Sequence, residues 1–175
     1  MIFFSADHHF GHANIIKYCN RPYQSVEEMD ADYIKRWNAR VTQNDTVYYL
    51  GDMAGRIVNI LRLLNKLNFQ ILHWMPGNHD SPRNIYKAQW GCIRVFPCRQ
   101  QIVEIQPVYN SQLVSIVLCH YPIMDWVGIK RGVLHLHGHS HGTVTGPAGS
   151  LDVGVDKFPD LITLDEVLDR LRDAC

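Results

Sequence analysis

Neither charge is in excess in this chain: 17 Lys and Arg stand against 17 Asp and Glu among 175 residues. With no global basic field to draw in long nucleic acid, no extended nucleic-acid surface is evident, and a small or locally gripped substrate is expected. The five cysteines (Cys19, Cys92, Cys98, Cys119 and Cys175) are odd in number and none sits in a CxxC pair. That argues against a disulfide framework and for a reducing, cytoplasmic compartment. The N-terminal stretch MIFFSADHHFGH has no basic n-region and no cleavage site, and its apolar run is far too short to span a bilayer. A signal peptide and a membrane anchor are therefore excluded. Repeats, low-complexity tracts and linkers are missing as well, so residues 1–175 read as one domain.

The residues present are those of a globular chain, 46% apolar and 19% charged. Residues 1–6 read as a buried strand that stops at the polar cluster Asp7-His8-His9. Ser25-Val26-Glu27-Glu28 is a capping box, followed by a helical pattern through Met29, Tyr33, Ile34, Trp37 and Val41. Thr46 to Leu50 is a short apolar run ending at Gly51-Asp52. Helical spacing from Ile57 to Leu67 and a strand from Phe69 to Trp74 follow, the strand broken by Pro76-Gly77-Asn78-His79-Asp80. This alternation predicts an α/β layered fold with polar clusters at the carboxyl ends of strands, where such folds place their sites. The second half predicts strands at 93–96, 101–108, 112–119 and 133–137, with Asn110-Ser111 as a turn. A second capping box, Thr163-Leu164-Asp165-Glu166, opens a closing helix with an apolar face that could support a homodimer as readily as a monomer.

Ten histidines are many for this length, and four of them alternate in His135-Leu136-His137-Gly138-His139-Ser140-His141. On extended backbone, residues two apart share a side, so His139 and His141 can face one site, and Asp7 with His9 forms a second such pair. Carboxylate plus neutral imidazole suits manganese, iron, zinc, nickel or cobalt, not calcium. Each cluster also has a plain structural interpretation. Gly-Asp is a common turn, Asp80 can cap a helix, and a single strand histidine is usually a hydrogen-bonded core or surface residue. The ensemble overrides these, because each cluster follows a predicted strand and together they supply ligands for two ions.

The order Asp7-x-His9, Gly51-Asp52, Gly77-Asn78-His79-Asp80, His120, Gly138-His139-x-His141 resembles the signature of the calcineurin-like metallophosphoesterases. Phe10-Gly11-His12-x-Asn14-Ile15-Ile16 and Leu151-Asp152-Val153-Gly154-Val155-Asp156 are similar to its small bacterial and bacteriophage members. The resemblance implies a four-layer α/β/β/α sandwich of two mixed sheets flanked by helices. It implies two divalent transition-metal ions, manganese first among them: Asp7, His9 and His141 on one, Asn78, His120 and His139 on the other, and Asp52 bridging. The implied activity is phosphoester hydrolysis by a two-metal-activated hydroxide with His79 as general acid, on a small, nucleotide-like diester. A broad phosphomonoesterase, a nuclease of short ends and a non-catalytic metal-bound scaffold are the rivals. Arg56 occupies the place of a phosphate-gripping arginine, although Met53-Ala54-Gly55 lacks the acidic residue common in protein phosphatases. Asp80 either orients His79 or caps the next helix, His12 is a second rim donor or substrate contact, and His8 should point away from the site. Tyr121 and Trp126 form either a base-stacking wall or ordinary packing.

Overall fold

The computed structural model describes residues 1–55, 58–92, 94–98 and 100–173. Arg56, Ile57 and Ile93 therefore lie outside it, and with them the arginine expected to grip phosphate, the start of the second predicted helix and the start of one strand.

Two sheets form the frame. In the first, β1 (Ile2–Ser5), β2 (Thr46–Tyr49), β3 (Ile71–Trp74) and β4 (Val95–Pro97) run parallel in that order, and β11 (Ile162–Thr163) pairs antiparallel with the outer side of β1. In the second, β5 (Ile102–Ile105) is antiparallel to β8 (Ile116–Cys119). That strand is parallel to β9 (Leu134–His137), which is parallel in turn to β10 (Ser150–Asp152). A small hairpin, β6 (Val108–Tyr109) and β7 (Gln112–Leu113), turns at Asn110-Ser111. Both turn residues have positive φ, 48° and 64°, the backbone that matches a tight hairpin to the strand twist. The predicted strands 101–108 and 112–119 are thus each divided, the first at Pro107, which has no N–H to offer a ladder.

Each strand sorts its side chains to two cores. One face of the first sheet (Phe3, Val47, Tyr49, Leu72, Trp74) packs on helices α1 (Ala13–Tyr18), α2 (Val26–Arg40), α3 (Ile60–Leu64) and α4 (Pro82–Gly91). α2 turns Met29, Tyr33 and Trp37 inward at a four-residue spacing, and Ser25 Oγ caps it by accepting from the Glu28 N–H at 3.2 Å. α3 is shorter than its 57–67 pattern, because Lys66 and Leu67 donate to the carbonyls three residues back and tighten the chain out of α-helix. The other face (Phe4, with Leu50 and Met75 just beyond β2 and β3) meets Ile116, Leu118 and Leu136 of the second sheet.

α5 (Leu164–Asp173) opens with a reciprocal capping box, Thr163 N–H donating to Glu166 Oε2 at 2.8 Å and Glu166 N–H to Thr163 Oγ1 at 3.2 Å. It wedges between the two sheets, touching β1 and β11 of one and β10 of the other. The mixed α/β layering is therefore as expected, but the outer face of the second sheet carries no helical layer among the described residues. Trp126 covers that face instead, its indole N–H donating to Val133 O at 2.9 Å and its ring 5.1 Å from that of His135. Trp126 is buried packing and not a base-stacking wall. Among the described residues no helix is long and apolar enough to cross a membrane.

What the frame does for the site is a matter of strand direction. β1, β2 and β3 run parallel, as do β8 and β9, so the chain leaves each at a common end. Asp7, Asp52, Asn78, His120 and His139 follow those five strands within a few residues.

Candidate metal centre

Five of the seven predicted ligand residues sit in left-handed backbone: Asp7 (φ 63°), His9 (54°), Asp52 (57°), His139 (67°) and His141 (49°). Side chains pay about 1–2 kcal/mol for that conformation, so five such residues draw on a sum comparable to the net stability of a domain. Asp and His tolerate it better than branched residues, and the surrounding bonds enforce it. The alternation of extended backbone therefore does not bring Asp7 to His9 or His139 to His141. Each pair is turned in by left-handed residues, and the second pair is divided between two clusters.

In the first cluster, ligand atoms of Asp7, His9 and His141 lie within 4.8 Å of one another, and in the second so do those of Asp52, His120 and His139. Asn78 joins the second, its Oδ1 3.0 Å from His120 Nε2. Asp52 Oδ2 stands between the groups, 3.6 Å from His9 Nε2 and 3.5 Å from His120 Nε2. Close approach of the loops requires glycine. A Cβ at Gly77 would collide with the Asp52 carboxylate, and one at Gly138 with that of Asp7.

The donor chemistry fits a cation. Asp7 Oδ1 and His9 Nε2 are buried and have no hydrogen-bond partner, an omission that costs about 1–3 kcal/mol per group unless something else satisfies it. His120 Nδ1–H donates to Leu50 O at 2.7 Å, so in the neutral ring the Nε2 lone pair faces Asn78 Oδ1 at 3.0 Å, acceptor facing acceptor. His141 Nδ1–H donates to Asp156 Oδ2 at 2.6 Å, leaving its own Nε2 free on the side of Asp7 and His9. Burial pushes the Asp7 carboxyl up to about 7 and the His9 imidazole down to about 3. Both groups are thus driven toward neutrality in the metal-free chain, and a cation reverses this for Asp7.

His79 stands exposed at the rim, its backbone N–H donating to Asp52 Oδ1 at 2.8 Å and its ring 5.2 Å from that of His9. His12 is half-buried, its ring 6.1 Å from that of His79. Asp80 is neither an orienter of His79 nor the cap of α4. Its carboxylate accepts from the N–H groups of Asp52, Met53 and Gly77 (2.8, 2.9 and 2.8 Å) and from the Trp74 indole at 3.1 Å, while Ser81 is the residue before α4 and Pro82 its first turn. Asp80 thus braces the loop that carries Asp52, and burial pushes its carboxyl up to about 6 in spite of those four donors. His8 is buried among Phe10, Tyr33, Trp37 and Tyr49 and turned away from the clusters, as its place beside His9 predicts. Tyr121 lies edge-on against His139, ring centres 4.7 Å apart.

Two cavities open on this rim. One of 440 Å³ is lined by His9, His12, Asn78, His79, Ser81 and Pro82. A second of 750 Å³ shares His9, His12 and His79 and continues past His139 and His141 to Ile15, Tyr18, Pro122 and Val144.

No family model matches the chain. The uncharacterized protein MJ1445 of Methanocaldococcus jannaschii is 48% identical over 143 residues, 80% of this chain and 69% of that one. The chain belongs to the MJ1445 family. The gene 66 protein of Mycobacterium phage D29 is similar at 25% identity over 98% of this chain and 96% of its own. Among solved structures, that of the Aquifex aeolicus protein of unknown function AQ665 superposes over 98% of both chains with a TM-score of 0.74 at 22% identity, a likeness of fold.

In this MJ1445-family chain the most important residues that the sequence pattern missed are Arg21 and Asp156. The buried Arg21 guanidinium donates to both oxygens of Asp156 (2.7 Å each) and to the carbonyls of Asp7 (2.7 Å) and His8 (2.9 Å). It thereby ties the first loop to the carboxylate that orients His141. Asp152 organises the last turn, accepting from Ser140 Oγ at 2.7 Å and Gly142 N–H at 2.9 Å. Arg21 sits alone between Asn20 and Pro22, with no motif to mark it. The Asp152–Asp156 stretch was visible only as a resemblance, without roles.

Proposed function

We propose that the chain is a calcineurin-like metallophosphoesterase that hydrolyses a small phosphodiester with two divalent ions, manganese in the first instance. Asp7, His9 and His141 would hold one ion, Asn78, His120 and His139 the other, and Asp52 both. The carrying observation is the convergence of two ligand clusters on Asp52 Oδ2, with Asp7 Oδ1 and His9 Nε2 buried and unpartnered beside it. Bound as a pair, such ions supply an activated water for attack on phosphorus and offset charge on the phosphoryl oxygens.

The chain's own residues do the rest. Asp156 and the Leu50 carbonyl fix the tautomers of His141 and His120. Arg21 and Asp80 hold the loops of Asp7 and Asp52 rigid. His79, exposed on the cavity wall and anchored through its backbone to Asp52, gives a proton to the departing ester oxygen. A diester carries two organic groups on phosphorus, and the two cavities that meet at His9, His12 and His79 support room for both. The sandwich of two facing sheets is in keeping with this family, short of its outer helical layer.

The test is to strip the protein of metal, reload it with Mn²⁺, count ions per chain, and compare bis-p-nitrophenyl phosphate with p-nitrophenyl phosphate. Uptake of two ions with turnover favouring the diester is expected. Two bound ions with neither ester hydrolysed would sink the hydrolase assignment.

A further inference from the structure

Net neutrality is an average that conceals segregation. Between Met53 and Val103 the sequence has seven Lys and Arg and a single acid, Asp80, whereas the rest of the chain has ten basic against sixteen acidic residues. Asp80 is buried and spent on backbone bonds, so it does not offset that charge at the surface.

The basic segment contains α4, and α4 shows a particular outer face. Asn84 and Ala88 are buried, Asn84 Nδ2 donating to Gly55 O at 3.2 Å. Arg83, Tyr86, Lys87 and Trp90, at the i, i+3, i+4, i+7 spacing of a single helical stripe, are all exposed. Tyr86 is 64% and Trp90 81% exposed, so two large aromatics stand in solvent one turn apart. Among the described residues neither Arg83 nor Lys87 has an acidic partner. α3 packs alongside and adds the exposed Arg62. The stripe also leads to the site, because Ser81 and Pro82, where α4 begins, line the 440 Å³ cavity with Asn78 and His79.

We propose that this stripe of α4 holds single-stranded nucleic acid, with Tyr86 and Trp90 stacking on unpaired bases and Arg83 and Lys87 on the adjacent phosphates. The polymer would thread its ester toward the cavity at His79. Charge complementarity favours a polyanion, and exposed aromatic faces favour bases that are not hidden in a duplex. The inference rests on the phosphodiesterase assignment only for what happens at the cavity; the binding itself does not require turnover.

The experiment is fluorescence anisotropy with labelled, phosphorothioate-linked oligo-dT and oligo-U strands about 15 nucleotides long, and a duplex of the same length. Wild-type protein is expected to bind at least one single strand and to discriminate against the duplex. The pair Tyr86→Ala/Trp90→Ala should weaken binding about tenfold or more. The pair Arg83→Glu/Lys87→Glu should weaken it and flatten the salt dependence by about 0.7 per lost phosphate contact. Arg172→Glu, a single charge reversal on α5, should alter neither.

Binding that ignores all four stripe residues, or that prefers the duplex, would overturn the proposal. So would a dimer, seen by sedimentation, that Trp90→Ala dissociates while no strand binds. Strand binding through the stripe by a Mn²⁺-loaded protein that cleaves neither the small diester nor an unmodified strand would sink the hydrolase assignment and leave this one standing. Turnover of the small diester without stripe-dependent binding would do the reverse.

Discussion

The two halves of the candidate metal centre are built differently. The half formed by Asp7, His9 and His141 is walled in from behind: Asp7 and His9 are buried, Arg21 and Asp156 clamp it, and only His9 and His141 reach the cavities. In the half formed by Asn78, His120 and His139 only His120 is buried, Asn78 and the adjacent His79 being exposed at the mouth of both cavities or close to it. If the first half takes an ion, its buried, bonded second layer would hold the ligands in a fixed geometry, because it removes their freedom. The second is organised to meet something arriving from solvent. Asp52 belongs to both, and for that reason is the residue whose loss should not discriminate between them.

That asymmetry can be attacked directly. Asp52→Asn should carry the largest effect, with metal content and diester hydrolysis falling together to background; a variant that keeps two ions and full activity would refute the shared bridge. His79→Ala should leave both ions in place and slow turnover by about 10²–10⁴-fold on a poor leaving group. With p-nitrophenolate, which needs little protonation, the loss should nearly vanish, and equal losses on both substrates would remove the general-acid role.

In the walled half, Arg21→Met strands the Asp156 carboxylate and should destabilise the fold by about 3–5 kcal/mol, read as a lowered denaturant midpoint. Unchanged stability would mean that the clamp is ornamental. Asp156→Asn should weaken metal affinity by about 10–100-fold with a smaller effect on the fold. Unchanged affinity in Asp156→Asn would mean that the bonded layer behind His141 does not set the geometry of the walled half.

The smallest effect is one of pH. The Asp7 carboxyl, pushed up by burial to about 7 in the metal-free chain, must release its proton when an ion binds. Affinity should therefore rise with pH and level off above about 7, falling roughly tenfold per unit below it for each proton displaced. Isothermal titration at several pH values reads this directly, and Asp7→Asn should remove that part of the slope.

Much of this arrangement was legible along the chain, and the legible parts share a cause. Capping boxes at Ser25 and Thr163 and the four-residue spacing of Met29, Tyr33 and Trp37 are local patterns, and local patterns survive in sequence. The clustering of Asp7, His9, Asp52, Asn78, His120, His139 and His141 could be anticipated because each follows a strand. α1 had no periodic signal to announce it, and the length of α3 depended on turn bonds. The assignments that moved were those that depend on backbone sign or on long-range partners. Asp80 changed role because its acceptors are filled by Trp74 and the Asp52 loop, the latter 27 and 28 residues away. Trp126 went to packing because the second sheet had a face to cover.

The sequence by itself determined which residue types could hold a cation and that the parallel strands would end in polar turns, since both follow from short-range chemistry. Tertiary structure alone decided the rest. Left-handed turns at five candidate ligand residues, and Arg21 reaching 135 residues to Asp156, arise when separate segments meet. No single segment carries the energy that holds such turns or aligns such a pair, so none can display it before the chain is folded.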